Sequence, residues 1–414
     1  MVNIRSVTAF ADVSYPLESG AIAAAGEALR AAREALTEAG YTVQTIRLAT
    51  QPFPTILNEA GPGRAVDFAK DLEAVSFVHE IDYVGLGPAR PGDAAAFIEA
   101  LPDVLANTEN IFAGIAIASR ESGVSLPCIR RAADIIRRVS LLEENGFANL
   151  RLAALANVPP WSPFLPAAYH GGGPPRLALA TESADLAVHA ITGAKSLEEA
   201  RTLLIRSIET EAERLEEAIQ PIAGRFEMRF QGIDFSLATF PEETRSIGAA
   251  LERLGLSRLG EHGSLMAAAF LTDALDRARF SRTGFCGLML PVLEDAVLAQ
   301  RAAEGVLTTR DLLILSAVCG TGLDTIPLPG DVGQDALTAI LLDVAALSLR
   351  LDKPLTARLM PIPGKQAGDE TTFDFGYFTN SRVLAAPDQP LSGLLSGDEQ
   401  VQIGSRVTQA EKKD

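Results

Sequence analysis

A chain of 414 residues with 47% hydrophobic and 21% charged side chains has the make-up of a folded globule, which excludes global disorder. Its 36 basic and 53 acidic residues leave a net charge of −17 and no basic stripe, so nucleic-acid and anionic-membrane partners are not expected. Three scattered cysteines, Cys128, Cys286 and Cys319, exclude a disulfide framework and a cysteine-rich zinc site and fit a reducing cytoplasm. The N-terminal stretch does not read as a signal peptide, and no window reaches about 18 unbroken apolar residues, so a cytoplasmic protein is expected.

Over the first half, short β-branched runs alternate with helical patterns. "IRSVTAF" reads as a strand and "SGAIAAAGEALRAAREALTEAG" as a helix closed by Gly40. "TVQTIRLA", "IDYVGLG", "IFAGIAIA" and "ANLRLAALANV" continue the strands, with amphipathic helices between them. Strands spaced by helices in this way predict an α/β chain with mostly parallel pairing. From Val158 to Pro175 the pattern gives way to "VPPWSPFLPAAYHGGGPP", a long loop whose aromatic content argues for a functional role. A charge-alternating helix begins near Ser196, "RFEMRFQGIDFSLATF" reads as strand, turn and strand, and "GFCGLMLPVL" as an apolar strand. "DALTAILLDVAALSLRL" and "PLTARLMPIP" give one more helix and strand. One domain is expected over 1–385, followed by a loosely attached polar tail over 386–414.

Several side chains could carry chemistry. Cys319 in "AVCGTGLD" ends an apolar run where Gly320 and Gly322 allow a sharp turn; it is a candidate nucleophile or, equally, a small buried hydrophobe. His170 in "YHGGG" and His262 in "GEHGS" each precede glycine, which suits an acid–base residue approaching a ligand, although either could merely cap a turn. Asp234 and Ser236 share one face of a strand, where a carboxylate could act as a base or orient a histidine. Glu294 and Asp324 lie at the ends of apolar runs, positions that surround the pocket in barrels. Arg358 and Lys365 are possible anion holders or ordinary surface charges. No P-loop, GxGxxG, HExxH or GxSxG motif is present, and neither a cofactor nor a metal is assigned.

Taken together, "NIRSVTAF", "IFAGIAIASRESGVSLPCIRRAADIIRR", "LAALANVPPWSPFLPAAYHGGG", "GIDFSLATFP", "LGLSRLGEHGSLMAAAFLTDAL", "GFCGLMLPVLED" and "AVCGTGLDTIPLPGD" resemble domain-of-unknown-function family 711, the pyruvate-formate-lyase-like proteins. The resemblance covers the chain to about Ala385. It implies a ten-stranded α/β barrel like that of glycyl-radical enzymes, with a loop inserted into its interior, "CGTGLD" at or near that interior, and a homodimer. The radical motif is not matched, because Gly376 in "FDFGYF" precedes Tyr377 without an Arg-Val before it. The expected function is an enzyme of unassigned reaction with a central pocket for a small metabolite. His170, His262, Asp234 and Cys319 would be its catalytic residues, with Ser236, Glu294, Gly320, Gly322 and Asp324 on the ligand. The alternative is a small-molecule-binding or regulatory homodimer without catalysis.

Overall fold

The computed structural model of the chain describes residues 2–386 and 390–406. Its strands, in chain order, are β1 (Asn3–Phe10), β2 (Val43–Pro52), β3 (Tyr83–Ala89), β4 (Ile111–Ser119), β5 (Gly123–Ser125), β6 (Leu152–Ala156), β7 (Arg176–Glu182), β8 (Arg229–Asp234), β9 (Gly322–Pro329), β10 (Leu355–Ile362) and β11 (Gln400–Val401). They form one mixed sheet, with helices between them, so the α/β class holds.

The order along the sheet is β8-β7-β1-β2-β3-β4-β6-β10-β9. The five central strands β1, β2, β3, β4 and β6 are parallel. At either flank the direction reverses: β7 runs antiparallel to β1 and carries β8 parallel to itself. Likewise β10 runs antiparallel to β6 and carries β9 parallel to itself. The ladder does not close into a ring. The segment 281–292 lies between its two ends and makes only isolated bridges, Ile233 to Arg282, Leu237 to Leu288 and Pro291 to Asp324. "GFCGLMLPVL", expected as a strand, is this segment. Conversely, "GLDTIPLP" is a strand inside what reads as a loop. Its prolines are tolerated because β9 has a ladder partner on one side only.

Helices cover the outer face of the sheet. Ile4, Val7 and Ala9 of β1 point into this layer and share a core with Ile22, Leu29 and Leu36 of the helix Gly20–Glu38 and with Phe68 and Leu72 of the helix Ala65–Val78. The inner face holds the loop 158–175. Trp161, Leu165 and Ala168 pack there against Phe10, Ala49, Phe112 and Ala178, while Phe164 and Ala167 pack against Ala153 and Leu155. Two glycines admit the loop: a Cβ on Gly85 would stand 2.8 Å from the Leu165 side chain, and one on Gly114 3.3 Å from the Pro166 carbonyl. The inner loop is therefore this proline-rich one. Cys319, expected near the interior, is instead fully buried in the outer core.

Residues 390–406 lie along the outside. There β11 pairs with β5, the Leu126 N–H donates to the Glu399 carbonyl at 3.1 Å, and Arg130 donates to the Gly397 carbonyl at 2.6 Å. The remainder of the expected tail, 387–389 and 407–414, lies outside the described residues.

Gly322 opens β9 with φ +94°, and a Cβ there would stand 2.3 Å from the Thr356 carbonyl oxygen. Gly322→Ala is therefore expected to destabilise the fold by at least about 2 kcal/mol, through left-handed strain and displacement of β10. Urea unfolding would show it as a lower midpoint at unchanged slope. Undiminished stability would return Gly322 to the list of ligand contacts.

Candidate functional site: an arginine-lined cavity on the inner face

The loop 158–175 does not fill the inner face. Beside it remains a cavity of about 100 Å³, on the side where β2, β3 and β4 begin and β7 and β8 end. Alternation along the strands sets its walls. In the parallel register Thr8 lies beside Arg47 and Arg47 beside Tyr83, so successive strands present these side chains to one face. Tyr83 and Phe112 meet edge to face at 5.2 Å.

Arg5 reaches the cavity by a break in that alternation. The β1–β7 register shifts between Ile4 and Ser6, and Ile4 and Val7, three residues apart, both point outwards. A bulge of this kind re-aims a side chain. Arg5 then pairs closely with Glu294. Glu294 Oε1 also accepts from Arg358 Nη2 at 3.0 Å, and Arg358 Nε donates to Asp324 Oδ1 at 2.6 Å. The side chains of Arg358, Glu294 and Asp324 are 5%, 5% and 2% exposed, so the network is buried. Burial pushes the Glu294 carboxyl up, but Arg5 and Arg358 outweigh it and hold it below the usual carboxylate range. Burial lifts Asp324 despite Arg358, and the charge on Glu294 adds to the lift.

Arg47 has no such partner. Its Nε donates to Thr45 Oγ1 at 2.8 Å, and Thr45 in turn donates to the Arg5 carbonyl at 3.0 Å. Among the described residues no carboxylate pairs with it and nothing accepts from Nη1 or Nη2. Burial, then the like charges of Arg5 and Arg358, push its pKa down to about 9. A guanidinium depressed in this way is a cation whose environment disfavours it, and an anion in the cavity would relieve that cost.

Asp234, on the opposite wall, contacts none of these arginines. Its Oδ1 accepts from Ser236 Oγ at 2.6 Å and from the Cys286 N–H at 3.0 Å, and its Oδ2 from the Phe285 N–H at 2.9 Å. Burial raises its pKa, and these donors act in the opposite direction. The neighbouring Cys286 thiol is pushed up to about 12 by burial and by the charge of Asp234, so it is a poor source of thiolate.

Of the candidates read from the sequence, Asp234 and Glu294 line the cavity, with Ser236 behind Asp234 and Asp324 behind Arg358. The others do not. His170 lies by the far ends of β1 and β2, its backbone N–H on the Thr50 carbonyl, its Nδ1 3.1 Å from Asp12, and its ring 4.6 Å from that of Trp161. His262 is exposed in the turn before the helix Ser264–Arg277. Cys319 sits in the outer core, where burial raises its thiol pKa and its carbonyl accepts from Lys353. Gly320 packs against Gly287. Sequence reasoning missed Arg5, Arg47, Tyr83 and Phe112, and it left Arg358 open between an anion holder and a surface charge. The available signal was an arginine as the one charged residue of a strand, three times over.

The family model described as Uncharacterised ACR (DUF711) matches residues 1–380. The chain belongs to the DUF711 family. A UPF0210 protein of Pyrobaculum arsenaticum is 37% identical over 354 residues, covering 82% of this chain and 78% of the relative. UPF0210 proteins of Pelotomaculum thermopropionicum and Methanosarcina acetivorans are 29% and 28% identical, each covering 92% of this chain and respectively 86% and 84% of the relative.

In this DUF711 chain the arginine network and Arg47 should respond oppositely to substitution. Glu294→Gln leaves Arg5 and Arg358 under-paired and is expected to cost about 3–5 kcal/mol of stability. Arg47→Met removes an unpaired charge and is expected to stabilise the ligand-free protein by about 1 kcal/mol. Chemical unfolding of both variants at neutral pH measures the two effects, and a destabilised Arg47→Met would mean that the guanidinium is structurally paired.

Proposed function

We propose that the inner cavity binds a small metabolite and that this DUF711 member is an enzyme of unassigned reaction. The carrying observation is the convergence of Arg5, Arg47, Arg358 and Glu294 on one aromatic-walled cavity, with Asp324 paired to Arg358 behind them, the arrangement that characterises ligand sites. Backbone strain supports it. Cys286 and Thr325 hold φ of 43° and 42°, one donating its N–H to Asp234 and the other adjacent to Asp324, and non-glycine residues in that region cluster at working sites.

The ten-stranded barrel remains part of the proposal. Five parallel strands are flanked by two pairs that run antiparallel to them, and the segment 281–292 between those pairs supports a tenth position. Glycyl-radical chemistry is not proposed. Gly376 stands between Phe375 and Tyr377 at the cavity wall, but Cys319 is in the outer core.

A second reading, binding without catalysis, draws on a different observation. His170 and His262 both stand away from the cavity, and Cys286 is poorly suited to form a thiolate there.

Native mass spectrometry of protein purified without chelators, compared with a denatured sample, tests the common core of both readings. A non-covalent small-molecule mass that disappears in Arg47→Met is expected. A clean ligand-free mass, with no metabolite raising the melting temperature, would remove both. Turnover of the bound compound would separate catalysis from binding.

A further inference from the structure

We infer that the ligand is a small monocarboxylate with a short apolar body, and that Arg47 is the residue that takes its carboxylate. This rests on the reading of the cavity as a ligand site and narrows it.

Charge sets the first limit. Three guanidinium groups border the cavity, but Arg5 and Arg358 are already committed to Glu294 and Asp324. Asp234 is answered by Ser236 and by backbone N–H groups rather than by an arginine. One guanidinium, that of Arg47, is left without an anionic partner. A singly charged anion balances it. A dianion such as phosphate would bring a second charge with no free cation to meet it, and a neutral ligand would leave Arg47 as it stands.

Geometry sets the second. Thr45 holds Nε and is itself fixed to the β1 backbone, so the guanidinium plane is oriented before a ligand arrives. The edge carrying Nη1 and Nη2 is the one left open. Two parallel N–H donors on a fixed plane match the two oxygens of a carboxylate.

Size and polarity set the third. About 100 Å³ is somewhat less than the ~150 Å³ of an apolar cavity that takes benzene, which suits a chain of a few carbons. Tyr83, beside Arg47, and Phe112, Phe164, Leu165 and Met289 elsewhere on the wall offer the remainder of the ligand aromatic and aliphatic contact. An outer groove shares Tyr83, Phe112, Leu150 and Phe375 with the cavity, so these four side chains form the partition through which such a ligand would pass.

The test measures binding of butyrate, butyramide and inorganic phosphate to the full-length protein by thermal shift and calorimetry, in the unaltered chain, Arg47→Met and Arg47→Lys. Butyrate is expected to raise the melting temperature, while butyramide and phosphate leave it unchanged. In Arg47→Met butyrate affinity should fall at least about tenfold, and in Arg47→Lys, which keeps the charge and loses the fork, it should fall less. Phosphate binding more tightly than butyrate, or butyrate binding equally well to Arg47→Met, overturns the monocarboxylate assignment. A neutral or dianionic compound recovered by native mass spectrometry would also overturn it, and would leave the metabolite site itself standing. Failure of all three probes together with a ligand-free mass would remove both.

Discussion

The ion network of Arg5, Glu294, Arg358 and Asp324 joins parts of the chain that the sheet leaves apart. Arg5 belongs to the central parallel strands, Arg358 and Asp324 to the reversed pair at one flank, and Glu294 to the end of the segment that lies between the two flanks. Where hydrogen-bonded ladders stop, charge takes over the connection. Buried ion pairs are weak contributors to net stability but costly to break, because the group left behind has lost both water and partner. The network therefore serves best as a device for specificity: it disfavours arrangements of the flanks in which any one of the four groups is unmatched.

That same economy of charge gives the cavity its character. Four of the five ionised groups beside Asp234 are mutually satisfied, and the fifth, Arg47, is held in place without an anion. A cation held without an anion costs stability, and on the proposed reading that cost is recovered when the ligand binds. In the partly buried setting of this guanidinium both the cost of the empty site and the gain on filling it are larger than in open water.

Much of the fold was legible from the periodicity of apolar residues. β1, β2, β3, β4, β6 and β10 and the long helices all follow from it. Four strands, β5, β7, β9 and β11, did not, and one expected strand did not form. β9 was masked by Pro327 and Pro329, which are allowed because one edge of the strand has no ladder to supply. "GFCGLMLPVL" has the composition of a buried strand but takes the irregular path between the flanks, since its backbone N–H groups serve Asp234 as well as its neighbours. At the candidate site the acids were legible as carboxylates at the ends of apolar runs. Arg5 and Arg47 were not singled out, and Arg358 was left open between anion holder and surface charge, because an isolated charge in a strand is read as solvent-facing until the register shows which face is enclosed. The histidines attracted attention through residue type, and residue type says nothing of where a loop comes to rest.

The position of the loop 158–175 in the chain bears on assembly. It follows β6, the last of the five parallel strands to be synthesised, and precedes the first of the reversed ones. The inner face of the nascent half-sheet, with Phe10, Ala49 and Phe112 bare, can thus be covered by the next residues to emerge, before a second half exists to shield it. The glycines at 85 and 114 act in this light as a docking bed: they let a proline-stiffened plug seat against the backbone early, so that the later strands close over an interior already laid down.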